Sequence, residues 1–144
     1  MVVGAALTGL PVRPSIHPSA RPTVDTTITI RASSSTLEFE PSAIAVRQGT
    51  ELHIRFINAG TLPHNLVFVR DENDIDTLAA VASKAGGSYL PLALKDRLLA
   101  YSTLASPGDT VEFSFRVPPP GEYTYVCFMS GHSNMMLGTL RSLH

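Results

Sequence analysis

From residue 24 onward the chain is a succession of short segments rich in β-branched and aromatic residues, and this succession limits the fold more than any other feature. Apolar and polar positions alternate within several of these segments, as they do in strands that bury one face. Turn residues separate them, for example Pro107-Gly108 and the run from Pro118 to Gly121. Closely spaced strands of this kind predict an all-β fold, a sandwich or a barrel. We expect strands within 23–32, 43–46, 51–59, 65–69, 109–117, 122–127 and 136–143.

One segment in the middle of the chain breaks the alternation. Apolar residues recur through 75–82 with the spacing of one face of a helix. Asn73 or Asp74 can cap the start of this helix, and the Gly-Gly pair at 86–87 can end it. The sequence therefore predicts a β-sandwich with one short helical insertion.

The first 23 residues differ from the rest of the chain. Four prolines lie three or four residues apart between Pro11 and Pro22, a spacing that prevents a helix and favours an extended linker. The remaining length is that of one domain with a core of its own. We expect residues 1–23 to form a flexible Pro-rich tail or linker and residues 24–144 to form a single domain.

Charge and cysteine content exclude several classes of protein. The formal net charge is −1 and no basic stripe runs along the chain, so a nucleic-acid partner is not expected. The chain has one cysteine, which excludes an internal disulfide framework and any zinc site built on paired cysteines. No segment approaches the roughly 20 apolar residues that a membrane-spanning helix needs.

The segment CFMSGHSNMMLG near the C-terminus concentrates the soft ligands of the chain. It contains the one cysteine, Cys127, together with His132 and three of the four methionines. A thiolate, an imidazole and a thioether suit copper, whereas magnesium and calcium require oxygen ligands. The predicted strand before Cys127 and the turn at Ser130-Gly131 would let this loop present three side chains to one point. Both Met135 and Met136 can supply the thioether.

A copper ion that cycles between two oxidation states favours two imidazoles, one thiolate and a weak axial methionine. The second imidazole is predicted to be His64, which follows Pro63 and opens a predicted strand. We expect the backbone N–H of Asn65 to reach the cysteine sulfur and its side chain to join the two ligand loops. His53 lies within an alternating strand and is interpreted as a structural residue.

These motifs resemble those of the cupredoxins, the small blue copper proteins. The Pro-His-Asn stretch and the pattern Y-x-Y-x-C-x4-H-x3-M-x-G look like the copper motifs of that family, and the C-terminal loop is most similar to that of azurins. The helical insertion and the approach VPPPGEYTYVCF look more like those of auracyanins. The resemblance implies a Greek-key sandwich of about eight strands in 24–144 and single-electron transfer by one type 1 copper. Its implied metal ligands are His64, Cys127, His132 and Met136.

The same resemblance implies further properties. Met136 is preferred over Met135 because the family places its axial methionine two residues before a glycine. Tyr123 becomes a candidate for a tyrosine corner, a stabilising feature of β-sandwiches. We expect redox partners such as cytochromes or membrane electron-transfer complexes. Phe128, Met129, Met135 and Leu137 either pack inside the protein or form an apolar docking patch near His132. The resemblance also implies export, either to the periplasm or to the outer side of the cytoplasmic membrane, with a membrane tether as the second alternative.

Rival functions make different demands on the sequence. A multicopper oxidase would place histidines on both sides of the cysteine, where this chain has Val126 and Phe128, and a dinuclear copper centre would need two cysteines. A thiol enzyme using Cys127 and His132 would leave Met136 and the distant His64 unexplained. We therefore expect no enzymatic activity. A copper(I) storage or delivery protein with the same fold is the strongest alternative.

Overall fold

The computed structural model describes Gly9 and residues 24–144. The predicted tail or linker at 1–23 therefore lies outside the described residues, apart from Gly9. Residues 24–144 form two packed β-sheets with one helical insertion, which confirms the predicted sandwich. The strands are β1 (Asp25–Ala32), β2 (Phe39–Glu40), β3 (Ala43–Arg47), β4 (Glu51–Asn58), β5 (Val67–Val69), β6 (Leu98–Tyr101), β7 (Thr110–Arg116), β8 (Gly121–Val126) and β9 (Leu137–Leu143).

One sheet has four strands in the order β2-β1-β4-β7, and the other has five in the order β3-β9-β8-β5-β6. Two pairs are parallel, β1 with β4 and β3 with β9, and the others are antiparallel. Alternation along the strands turns one side of each sheet inward, as in β4, where Leu52, Ile54 and Phe56 are buried. The main core lies between these inner faces.

The short strands β2 and β6 are not among the predicted segments. β2 contains two residues, and β6 follows directly on a 3-10 helix at Leu92–Arg97. Neither stretch is long enough for a period of two to stand out. β6 nevertheless completes the larger sheet, because Phe68 of β5 pairs with Ala100.

The helix α1 spans Ile75–Ser83, between β5 and β6, and confirms the predicted insertion. It ends three residues before the glycine pair expected to stop it. The amides of Lys84 and Ala85 bond to the carbonyls of Val81 and Ala82, so the last turn tightens to 3-10 geometry before the glycines are reached. Further 3-10 helices occupy Glu72–Asp74 and Gly86–Ser88. Within the described part of the chain, every helix is too short or too polar to cross a lipid bilayer.

A second apolar cluster lies between the insertion and the outer side of the larger sheet. Leu78 and Ala82 of α1 pack there with Val67 and Val69 of β5 and with Val126 of β8. Val67 and Val69 face this cluster, whereas Phe68 belongs to the main core. Because both of its faces are buried, β5 is continuously apolar, as its sequence VFV shows.

Two tyrosines of β8 fix the approach to the C-terminal loop. The hydroxyl of Tyr123 donates a hydrogen bond of 2.7 Å to the carbonyl of Pro119, four residues earlier, and this contact has the geometry of the predicted tyrosine corner. Tyr125 is fully buried and its hydroxyl donates to the carbonyl of Pro41 at 2.7 Å. Its ring lies over Gly138 of the neighbouring strand, at a position where a methyl group would overlap the ring.

Candidate metal centre

Three side chains from two distant parts of the sequence meet at one end of the sandwich. One potential ligand atom from each of His64, Cys127 and His132 lies within 4.8 Å of the other two. The Nδ1 atoms of His64 and His132 lie 3.8 Å and 3.7 Å from the sulfur of Cys127. Both imidazoles therefore turn the same nitrogen toward the thiol, and the three atoms surround a single point.

The loop between β8 and β9 supplies two of these three residues. Cys127 directly follows β8, and its amide donates to the carbonyl of Met136 at 3.2 Å. Within the loop, the amide of His132 bonds to the carbonyl of Met129, and the amide of Met136 bonds to the carbonyl of His132. These main-chain bonds close the loop into a compact turn. Gly131 permits that turn by adopting a φ of +82°.

His64 enters from the other side and is held through its backbone. Its amide and carbonyl both bond to Ala105, at 3.0 Å and 2.8 Å, in an isolated antiparallel bridge. The side-chain amide of Asn58 donates to the carbonyls of Ala105 and Leu62, at 2.9 Å and 2.8 Å. A buried asparagine thus supports both segments beside His64. Asn58 and Ala105 are not among the predicted site residues, because their roles depend on contacts across the fold.

Burial controls the protonation of these groups. Burial, followed by the neighbouring His132, lowers the pKa of His64 to about 4, and burial also lowers the pKa of His132. Both rings are therefore neutral at pH 7, with a lone pair available for a metal. Burial raises the pKa of the Cys127 thiol, and hydrogen bonds from the backbone N–H groups of Met129 and Asn65 act in the opposite direction. Metal binding would release the thiol proton.

The two adjacent methionines occupy different environments. Met136 is fully buried and belongs to the main core, together with Cys127. Met135 is 56 % exposed. A thioether that is to complete a buried donor set must lie on the inner side of the loop, so burial favours Met136 as the fourth donor.

Asn65 joins the two ligand segments in the way expected from the sequence. Its side-chain oxygen accepts a hydrogen bond of 2.8 Å from the backbone N–H of Phe128, the residue after Cys127. Its own backbone N–H lowers the pKa of the Cys127 thiol, in opposition to the larger effect of burial. Asn65 is fully buried, so both contacts are protected from water. They link the His64 segment to the thiolate loop.

The apolar residues around the loop divide into two groups. Phe128 is buried in the cluster beneath α1 and cannot meet a partner, and Met129 is half-buried. Met135 and Leu137 are exposed, and so is Leu62, which is not among the residues predicted for the docking patch.

His53 lies on the outer side of its sheet, where its Nδ1 contacts the hydroxyl of Ser114, in agreement with a structural role.

The donor set fits copper. Two neutral imidazoles, a thiol that can ionise and a buried thioether are the ligands that type 1 copper sites use. The soft sulfur atoms and the absence of any carboxylate from the three-residue cluster disfavour calcium and magnesium.

Comparisons with known proteins agree with this chemistry. Residues 26–141 match the model of the family described as copper binding proteins, plastocyanin/azurin family. Auracyanin-A of Chloroflexus aurantiacus is 35% identical over 118 residues, which are 79% of this chain and 72% of that protein. Its solved structure, titled a "blue" copper protein, superposes with a TM-score of 0.78 at 33% identity and covers 83% of this chain and 99% of its own.

A second solved structure is that of dithionite-reduced auracyanin from Roseiflexus castenholzii. It has a TM-score of 0.77 at 26% identity and covers 84% of this chain and 99% of its own. The family match extends over most of the described residues and includes every residue of the cluster. The chain therefore belongs to the plastocyanin/azurin family of copper-binding proteins.

Proposed function

We propose that this protein is a single-electron carrier whose one type 1 copper is bound by His64, Cys127, His132 and Met136. The observation that carries this proposal is the buried cluster in which both imidazole Nδ1 atoms face the cysteine sulfur. The reduced form of a relative with a similar fold supports a redox role. Residues 24–144 are proposed to be the copper domain, in agreement with the extent of the family match.

Bound copper supplies a one-electron couple between Cu(II) and Cu(I). The protein holds the ligands from two sides. Backbone hydrogen bonds tie His64 to Ala105, and main-chain hydrogen bonds close the loop that contains Cys127. Such rigidity reduces the rearrangement that accompanies each change of oxidation state. A carrier is favoured over an enzyme because all four proposed ligands are at most 6 % exposed, which leaves little access for a substrate.

The surface near the ligands suggests where partners bind. His132 is the most exposed of the four proposed ligands, at 6 %. Leu62, Met135 and Leu137 are exposed and lie one or two residues from a proposed ligand. Apolar side chains around a ligand edge favour short-lived docking of redox proteins such as cytochromes or membrane electron-transfer complexes. A location outside the cytoplasmic membrane, such as the periplasm, is proposed by analogy with the family.

Copper(I) storage or delivery is the alternative function. The same soft ligands would bind copper(I), but a store must also release it. The proposed ligands are buried, and the two backbone hydrogen bonds to Ala105 hold His64 in place, so the site is suited to retaining its metal. These features favour the carrier.

Adding one equivalent of copper(II) to the protein is the test of this function. We expect an intense blue absorption band from the thiolate and an EPR spectrum with narrow copper hyperfine splitting, both saturating at one copper per chain. Reduction should bleach the band and reoxidation should restore it. A colourless protein that binds copper(I) alone would favour storage and refute the carrier.

The two methionines allow a matched test of the fourth ligand. Met136→Leu should change the band and the reduction potential, because it removes a buried thioether and keeps an apolar side chain of similar volume. A tenfold change in the relative affinity for the two oxidation states equals about 59 mV, and we expect a shift of that order. Met135→Leu, at the exposed neighbour, should leave both quantities unchanged. A shift with Met135→Leu alone would reverse the assignment.

A further inference from the structure

We propose that the loop Gly86–Leu90 of the helical insertion braces the metal centre and thereby helps to set its reduction potential. The loop holds the side chain of Asn65, and Asn65 in turn holds the thiolate segment. In this arrangement Tyr89 is a positioning residue. The inference rests on the proposed function as a copper carrier.

The first link joins the loop to Asn65. The side-chain nitrogen of Asn65 donates to the carbonyl of Tyr89 at 2.9 Å and to that of Ser88 at 3.3 Å. Both acceptors are backbone atoms of the insertion, more than 20 residues away in the sequence. Together with the bond that its oxygen accepts from Phe128, these contacts use both ends of the Asn65 amide. The orientation of the side chain is therefore fixed from two sides.

The second link joins Asn65 to the sulfur. The side-chain oxygen of Asn65 accepts a hydrogen bond of 2.8 Å from the backbone N–H of Phe128, the residue after Cys127. The backbone N–H of Asn65 also favours the ionised form of the Cys127 thiol, because it lowers the thiol pKa against the larger effect of burial. Hydrogen bonds to a cysteine sulfur withdraw charge from it and tune the potential of a copper–thiolate site. A displacement of Asn65 would therefore change the charge on the sulfur, and with it the reduction potential, while the metal ligands stayed the same.

The backbone of the loop has an uncommon conformation at Tyr89, whose carbonyl accepts the shorter of the two hydrogen bonds from Asn65. Tyr89 has a φ of 50° and a ψ of 35°, and it is the single non-glycine residue with a positive φ among the residues that the structure describes. Bulky side chains disfavour this left-handed region, so the surroundings must impose it. Two features hold this conformation in place. The carbonyl of Tyr89 accepts the hydrogen bond from Asn65, and the next residue, Leu90, is buried at 6 % exposure.

The insertion is anchored well enough to serve as a brace. Leu90 belongs to the apolar cluster that α1 forms with the outer side of the larger sheet. The same cluster contains Val126 and Phe128, which flank Cys127 in the sequence. The loop and the thiolate segment thus rest on one packed unit. This packing transmits the position of the loop to the metal centre.

A pair of substitutions at Tyr89 tests the brace. Tyr89→Val introduces a β-branched residue that disfavours the left-handed conformation, so it should turn the carbonyl away from Asn65. Tyr89→Asn also removes the aromatic ring, but asparagine tolerates the left-handed conformation. We expect Tyr89→Val to lower the reduction potential by an amount equal to about a threefold change in relative affinity, or about 30 mV. Tyr89→Asn should leave the potential unchanged.

A second measurement follows the contact directly. Exchange of the Asn65 side-chain amide protons, observed by NMR in the copper(I) protein, should accelerate about tenfold in Tyr89→Val and stay slow in Tyr89→Asn. If Tyr89→Val does not fold, Tyr89→Ala replaces it, with a smaller change in the same direction. Equal potentials in all variants, or equal shifts in Val and Asn, would refute the brace. A wild-type protein without the blue band would instead refute the proposed function.

Discussion

Replacing Cys127 by serine is expected to abolish the blue absorption band and the narrow hyperfine splitting completely. The band arises from the thiolate, and Cys127 is the one cysteine of the chain. Loss of residues that merely support metal ligands typically costs roughly 10- to 100-fold in metal affinity, and loss of a direct ligand should cost more. Copper(II) spectroscopy and a competition titration with a chelator measure the two effects.

The control for this experiment lies three residues further along the same loop. Ser130 is exposed, so Ser130→Ala should leave the spectrum and the affinity unchanged. Circular dichroism and thermal unfolding of the metal-free Cys127→Ser protein should show that the sandwich is intact. A folded Cys127→Ser protein that still turned blue would rule out the proposed thiolate ligand.

Gly138→Ala is expected to be the most destabilising small substitution in β9. The added methyl group would overlap Cε2 and Cζ of the Tyr125 ring. Tyr125 is fully buried between Phe39 and Phe68, at centroid distances of 5.6 Å and 5.2 Å, so it has no free space to occupy. Overpacking a core typically costs about 1–3 kcal/mol, and displacing the buried hydroxyl from Pro41 adds about 1–3 kcal/mol. Urea unfolding of the metal-free protein should therefore show a loss of roughly 2–6 kcal/mol.

Two further variants test whether the Tyr125 ring causes this loss of stability. Gly87→Ala, where an added methyl group meets nothing within 4 Å, should change the free energy of unfolding little. Tyr125→Leu removes the ring that the methyl group would strike, so Gly138→Ala should cost less in that background. Equal costs of Gly138→Ala in both backgrounds would show that the ring is not the obstacle.

The parts of the fold that could be predicted from the sequence are those that leave a local pattern. The alternation in β4 and the helical spacing of α1 each extend over enough residues to be visible. Cys127 and His132 lie close together in the sequence. The preference of copper for a second imidazole then pointed to His64, and the resemblance of its Pro-His-Asn stretch to the family motif supported that choice.

The remaining features depend on contacts between distant segments. Asn58 ends a strand two residues before Gly60, where asparagine usually indicates a turn, and its bonds to Leu62 and Ala105 exist only in the folded chain. The conformation of Tyr89 was equally hidden, because a positive φ is usually indicated by glycine or asparagine. The exposure of Leu62 depends on how its turn is placed, which the sequence does not specify.

The double burial of β5 has a consequence for how the protein unfolds. Its residues Val67–Val69 belong to the main core on one side and to the cluster beneath α1 on the other. If the insertion melted first, it would expose the outer side of β5 and Val126 to water, at a cost proportional to the apolar area uncovered. We therefore expect the helix and the sandwich to unfold together as one cooperative unit.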